Sequence, residues 1–332
     1  MKIKKFGAID IGSNAIRLLV SNVIEEKNII ENELQRYAFG TDASFYRLTP
    51  ELVIKISNEA QLIRVIKLSN QYLIPITFRA AGTSLSGQAI TDSVLIILSH
   101  NWNKIDVLEK GRKVKLQPGV IGAHANRALA SYGRKIGPDP ASINSCKVGG
   151  IAANNSSGMC CGVKHNSYHT LADIRIIMPN GSVLDTANLL SRQEFVRNNP
   201  VLISNVTELA ARVKQDESLG SKIAHKYRLK NTMGYGVNAL LEYSDPIDII
   251  SHLMIGSEGT LGFIADITYN TIAIDEFSVS ETNIIRWDNG GVSNNWTDAD
   301  NWSTNQVPSA TSKVVLDNTF VGGSYSISID AE

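Results

Sequence analysis

The chain has 332 residues, 43% of them hydrophobic, enough for one large or two modest domains with a real core. Its 32 Lys and Arg balance 32 Asp and Glu, so charge offers no case for nucleic acid or an anionic membrane surface as a partner. Three cysteines, Cys146, Cys160 and Cys161, form no CxxC pair. They fit small buried residues in a reducing compartment better than a disulfide framework or a metal centre, and no metal is expected.

Met1-Lys2-Ile3-Lys4-Lys5 mimics the basic start of a leader, but Asp10, Asn14 and Arg17 interrupt the apolar run that follows. Neither a cleaved leader nor a transmembrane segment is expected, and the chain reads as cytoplasmic. Phe6 to Val23 predicts a short β-hairpin with Asp10-Ile11-Gly12-Ser13-Asn14 at its tip, a turn suited to a polyphosphate tail with magnesium. Leu52 to Ile56 alternates as a strand. Asn58 then opens a helix with Gln61 at the capping-box position, continued by Leu62, Val65, Ile66 and Leu68. Ile74 to Phe78 predicts a strand running into a glycine-rich loop, and Val94 to Leu98 the next buried strand. Lys113 to Gln117 alternates, and Gly122 to Tyr132 predicts a helix ended by Gly133. Ile174 to Met178 and Ser182 to Thr186 flank Pro179-Asn180-Gly181, a hairpin signal because Asn-Gly supplies the positive φ of a tight turn. Residues 188–229 are polar and intermittently helical, and Phe263 to Ile272 predicts a closing strand.

Four glycine-rich segments stand between these elements. Arg79-Ala80-Ala81-Gly82-Thr83-Ser84-Leu85-Ser86-Gly87 lets successive backbone N–H groups converge on an anion, with Ser84 and Ser86 as hydroxyl donors and Arg79 balancing diphosphate charge. Gly137-Pro138-Asp139-Pro140-Ala141-Ser142 is a stiff loop able to set backbone edges against a flat ring. Gly149-Gly150-Ile151-Ala152-Ala153-Asn154-Asn155-Ser156-Ser157-Gly158 joins a close-packed helix start to a polar loop. Ile255-Gly256-Ser257-Glu258-Gly259-Thr260-Leu261-Gly262 is the fourth. His165 and His169 stand four apart, but in what reads as a loop leading into a strand, where that spacing does not bring two imidazoles together on a metal.

Composition changes near residue 276. Residues 276–332 hold Arg286 and Lys313 against eight acidic residues, with Trp287, Trp296 and Trp302 among Asn, Ser, Thr and short β-branched runs, which predicts all-β packing. Three segments follow: 1–32, 33–275 and 276–332.

The four glycine segments, with the stretch from Arg36 to Arg47 and Lys230 to Tyr235, resemble the FAD-binding (PCMH-type) domain of vanillyl-alcohol-oxidase-like flavoproteins. Within that group they resemble the FAD-linked D-2-hydroxyacid dehydrogenases acting on D-lactate, glycolate or D-2-hydroxyglutarate. The resemblance covers about residues 33 to 275. It implies an α+β fold with two lobes and FAD between them, preceded here by a short β-hairpin and followed by a short all-β tail. It places Arg79, Gly82, Thr83, Ser84, Leu85, Ser86 and Gly87 at the pyrophosphate. Pro138, Ala141, Ser142, Gly149, Gly150, Asn154 and Gly158 fall at the ring and ribityl region, and Glu258, Gly259 and Ile264 near the adenosine or flavin edge. Some relatives attach flavin through a His in the first loop. Thr83 stands there, so the expected FAD is non-covalent.

The resembled enzymes seat a 2-hydroxy acid under a second, C-terminal domain that brings histidines and a carboxylate-binding arginine. That domain is not legible after residue 275, so catalytic residues, substrate and electron acceptor stay unassigned. Residues 1–26 resemble the start of the exopolyphosphatase and guanosine-pentaphosphate phosphohydrolase family, and residues 284–332 a secreted bacterial surface β-repeat. A joined, chimeric chain is therefore expected, with a phosphohydrolase fragment or a non-enzymatic surface module as alternative readings.

Overall fold

β-Branched and leucine residues at Leu52–Ile56 and Val94–Leu98 leave almost no polar side chain, as strands covered on both faces require. They pair in parallel in the computed structural model, Leu52 opposite Val94 and Ile56 opposite Leu98. The structure describes residues 28–158, 162–232 and 234–274, and beyond them 284–286, 302, 307 and 313–315. The expected hairpin at Phe6 to Val23, and Cys160 and Cys161, lie outside the described residues. Two compact units divide the chain, residues 1–273 and 274–332. In the second, Ile284–Arg286 and Lys313–Val315 pair in parallel, and Trp302 is buried.

Among the described residues the first unit holds two main sheets and one two-stranded pair. One has β1 (Ile29–Ile30), β2 (Leu52–Ile56), β3 (Ile76–Arg79) and β4 (Val94–Leu98) in the order β1-β2-β4-β3. The helix Glu59–Tyr72 buries Leu62, Val65 and Ile66 in the core that also takes the inner side chains of β2 and β4. Asn58 caps that helix by accepting from the Gln61 N–H at 3.0 Å. Gln61 Oε1 reaches back to the Ser57 N–H at 2.9 Å, one residue before the expected capping-box partner. Its end explains why β3 starts two residues later than expected. Leu73 turns left-handed (φ 54°), the Ile74 N–H is spent on Ser69 O, and Pro75 has none to give.

The second sheet is antiparallel, β5 (Ile105–Leu108), β6 (Lys113–Leu116), β8 (Leu171–Ile177), β9 (Val183–Asp185) and β10 (Phe263–Asn270), in the order β5-β6-β10-β8-β9. The short β7 (Arg134–Lys135) pairs separately with β11 (Ile272–Ala273). Between β8 and β9, Gly181 has φ +80°, as the Asn-Gly signal predicted. Ile105–Leu108 alternates too briefly to announce itself as a strand.

Three helices fill most of the polar stretch after residue 188: Leu189–Asn198, Pro200–Gln215 and Glu217–Tyr227. Each buries only one or two side chains, Phe195, Ala210 with Val213, and Ile223. That thin apolar stripe is why periodicity alone showed them only intermittently. The helix Pro246–Leu253 was also missed, although Asp245 as N-cap and Pro246 at the first turn form a start signal.

β10 connects the two lobes. Ile264 and Ile267 enter the core under the helices, while Phe263 and Ala265 enter the core of the first sheet. There the Phe263 ring meets Phe78 at 5.2 Å and Trp102 at 5.5 Å. Leu62 is fully buried in the same core, so Leu62→Ala is expected to lower unfolding stability by roughly 2–5 kcal/mol in a denaturant melt.

His252 lies beneath the helical lobe, stacked on Tyr243 at 4.0 Å. With Nδ1–H donating to Asp248 O at 2.8 Å, its Nε2 accepts from the Tyr243 hydroxyl at 2.9 Å, the pattern of a neutral ring. Burial holds its pKa below the ordinary histidine value. A depressed histidine stabilises the fold above its unfolded pKa of about 6.5, and that contribution is lost as pH falls below it. Stability of the wild type relative to His252→Gln should therefore drop on acidification below this value. A difference that instead grows toward low pH would contradict the assignment.

Candidate functional site

The two lobes leave between them a cavity of about 660 Å³, within the range of roughly 300–1,000 Å³ for small-molecule and cofactor sites. Every one of the four glycine-rich segments contributes to its wall. Arg79, Gly82, Thr83, Ser84, Leu85 and Ser86 line it from the loop after β3. Ala141 and Ser142 come from the second segment, Gly149, Gly150 and Asn154 from the third, and Glu258, Gly259 and Ile264 from the fourth and the start of β10. Phe78, Ile96, Leu98 and Phe263 supply apolar wall from the sheets.

Gly87, Pro138 and Gly158 do not reach the cavity. Gly87 packs on Tyr46 and Ile90, and Pro138 is buried. Gly158, at φ +64°, lies so close to the Asp139 carbonyl that no Cβ fits between them, so it joins the second segment to the third. Several lining residues had no role in the sequence reading: Gln88, Pro118, Ser145, Lys147, Ser156 and Ser257. Ser156 and Ser257 lie inside glycine segments and Gln88, Ser145 and Lys147 close beside one, a signal that does not distinguish lining from supporting positions, and Pro118 carries no such signal.

The first loop is held in shape from behind. Gly82 adopts φ +72°, and a Cβ there would stand 2.5 Å from the Arg79 guanidinium. The Arg36–Arg47 stretch braces this corner. Phe39 O accepts from Arg79 Nη1 at 3.0 Å, and Gly82 O accepts from the Ala43 N–H at 2.9 Å. Burial lowers the Arg79 pKa, with Asp42 opposing the shift. Ser84 folds the loop on itself, its hydroxyl bonded to Gln88 and accepting from the Ser86 and Gln88 N–H groups.

Across the cavity runs the helix Val148–Asn154, whose Gly150 faces Ala80, so that a Cβ added there would meet Ala80 Cβ at 3.6 Å. The fourth segment docks on its C-terminal end. Gly256 N–H donates to Ala152 O at 3.1 Å and Glu258 N–H to Ala153 O at 2.8 Å. Glu258 has a left-handed backbone (φ 53°), an arrangement costing on the order of 1–3 kcal/mol for a residue other than glycine. Its carboxylate accepts from Asn154 Nδ2 at 2.5 Å and bonds Gln88. Burial nonetheless pushes its pKa up, and these hydrogen bonds only partly offset that.

The lining set suits a long ligand with an anionic middle and flat ends: hydroxyl and backbone donors beside Arg79, flanked by apolar and aromatic walls. Among the described residues no cluster of His, Cys, Asp and Glu could hold a metal. His165 and His169 do not line the cavity, and His169 Nδ1 sits against Asn166. No helix among the described residues is long and apolar enough to cross a membrane.

Residues 50–187 match the family model described as an FAD binding domain. The chain is 26% identical to D-2-hydroxyglutarate dehydrogenase of Haemophilus influenzae over 264 residues, 76% of this chain and 25% of that protein. It is 26% identical to glycolate oxidase subunit GlcD of Escherichia coli, over 53% of this chain and 36% of that one. The chain thus spans about a quarter to a third of these relatives' length. Among solved structures, alkyldihydroxyacetonephosphate synthase matches with a TM-score of 0.52 at 18% identity, covering 80% of this chain and 41% of that one. Xylooligosaccharide oxidase from Myceliophthora thermophila matches with a TM-score of 0.51 at 12% identity, covering 78% and 43%.

The chain therefore carries an FAD-binding domain of PCMH type, related at low identity to D-2-hydroxyglutarate dehydrogenase and glycolate oxidase GlcD, and its cofactor is FAD. No comparison supports the phosphohydrolase resemblance at the N-terminus or the surface-repeat resemblance at the C-terminus. Because FAD binds the native state, adding it at about 100 times its Kd should stabilise the fold by roughly 2.7 kcal/mol. A melting temperature indifferent to FAD would contradict this.

Proposed function

We propose that the interlobe cavity holds FAD non-covalently and that the chain is the flavin-binding part of a D-2-hydroxyacid dehydrogenase. The observation that carries this reading is the convergence of all four glycine-rich segments on one cavity of cofactor size. Gly82, Thr83, Ser84 and Ser86 would hold the diphosphate with Arg79 as counter-charge. Ala141, Ser142, Gly149 and Gly150 would take the flavin ring and ribityl portion, whereas Asn154, expected from sequence beside them, bonds Glu258 and would go with Glu258, Gly259 and Ile264 to the adenine edge. Thr83 offers no nucleophilic imidazole at the attachment position, which favours a dissociable cofactor.

Bound flavin would supply two-electron redox chemistry. The chain's residues bind it, orient it and keep water from it through Phe78, Ile96, Leu98 and Phe263. Oxidation of a 2-hydroxy acid also needs a base on its hydroxyl and a cation on its carboxylate. No histidine lines this cavity among the described residues, so we assign those tasks to residues other than the ones that hold the cofactor. The 2-hydroxy acid class rests on the relatives.

Two measurements test the cofactor site. Acid precipitation of the yellow protein should leave the flavin in the supernatant, whereas a yellow pellet would refute non-covalent binding. Gly82→Asp puts a carboxylate beside the diphosphate and should lower FAD affinity at least a hundredfold, since repulsion between partly desolvated charges costs several kcal/mol, on the order of 3. Gly133→Asp, also at positive φ (63°) but in open space away from the cavity, is the matched control. Equal flavin occupancy in the two variants would remove the loop from the site.

A further inference from the structure

Lys147 lines the cavity just ahead of the helix Val148–Asn154 and is half-buried. Among the described residues it has neither a carboxylate nor a hydrogen-bond partner for its ammonium group, and burial alone depresses its pKa. Arg79, the other cation of the lining, is answered by Asp42 and by Phe39 O. A partly desolvated ammonium with no protein partner has as its natural complement a negative charge on what fills the cavity.

The charges of the cavity are separated along one helix. Lys147 precedes its first residue, and Asn154, bonded to Glu258, is its last. Seven residues at 1.5 Å rise separate them by about 10 Å. The loop donors run toward the Glu258 end, because Ser84 bonds Gln88 and Gln88 bonds Glu258. Lys147, at the other end of the helix, lines the cavity with Ser142 and Ser145. FAD has one ring at each side of its diphosphate, and only one of them gains charge. Adenine is neutral throughout. The isoalloxazine ring, on taking up two electrons and one proton, becomes an anion with its charge over N1 and the C2 carbonyl. A carboxyl group pressed toward its neutral form suits the exocyclic amine of adenine, and a free ammonium suits the reducible ring.

We infer that Lys147 is the cation that faces the isoalloxazine ring of bound FAD at N1 and the C2 carbonyl, stabilising the reduced cofactor over the oxidised one. This rests on the cavity being the FAD site. Lys147 acts here through charge on the ring, with no proton or hydride passing through it.

The test is the midpoint potential of FAD on the full chain, titrated with dithionite against a reference dye, together with the dissociation constant for sulfite, which adds to the ring and leaves the same negative charge at N1. Lys147→Met should favour the oxidised form at least tenfold, a fall of about 30 mV for a two-electron couple, and should weaken sulfite binding at least tenfold. Lys147→Arg should restore most of both. If FAD remains bound to Lys147→Met with wild-type potential and sulfite affinity, the inference is overturned while the cofactor site stands. It is equally overturned if oxidised and reduced FAD both bind more weakly by the same factor, since that identifies a diphosphate clamp. A wild-type chain that takes up no FAD refutes the cofactor site itself, and the inference with it.

Discussion

Two backbone hydrogen bonds at the end of one short helix hold the site together. At the end of the helix Val148–Asn154 the loop after Ile255 donates to two carbonyls, Gly256 N–H to Ala152 O, which also accepts from the capping Asn155 N–H, and Glu258 N–H to Ala153 O. That contact brings residues a hundred positions apart to one wall. It holds Glu258 in a left-handed backbone, and it fixes where β10 begins. The strain at Glu258 is offset by the bonds its carboxylate makes to Asn154 and to Gln88, the residue that follows the first glycine loop. Three of the four glycine segments are therefore linked through a single side chain.

β10 extends that constraint into the packing. Its alternate side chains enter two different cores, so the strand that carries Ile264 into the cavity also sets the spacing between the lobes. Phe263 sits at the junction, one ring contact from Phe78 at the mouth of the first loop and another from Trp102. The site is thus framed by strands and a helix, with loop at its anion-facing surface and at Ala141, Ser142, Glu258 and Gly259.

Charge in the cavity is economical. Among the described residues two cations and one carboxyl group line it, and each is displaced from its ordinary pKa toward neutrality by burial. Such groups are held at a cost in the empty protein and are relieved by a ligand of matching charge, which ties cofactor affinity to fold stability.

The sequence by itself determined the local elements whose signals are local. Leu52–Ile56 announced itself by alternation, Val94–Leu98 by an uninterrupted apolar run, Asn58 by its cap, and Gly181 by the turn that only a positive φ completes. It also marked the glycine segments as ligand-facing, because Gly and Ser together serve backbone donors to an anion. Tertiary structure decided what those segments do severally. Gly82 faces the cavity while Gly158, equally left-handed, is spent on packing against Asp139. Lys147, which no motif marks, becomes a wall residue because the helix behind it is turned toward Ala80. Positive φ is a property of one residue's backbone and can be read from composition. Which surface that residue meets depends on long-range pairings such as Gly256 with Ala152, and these exist only once the chain has folded.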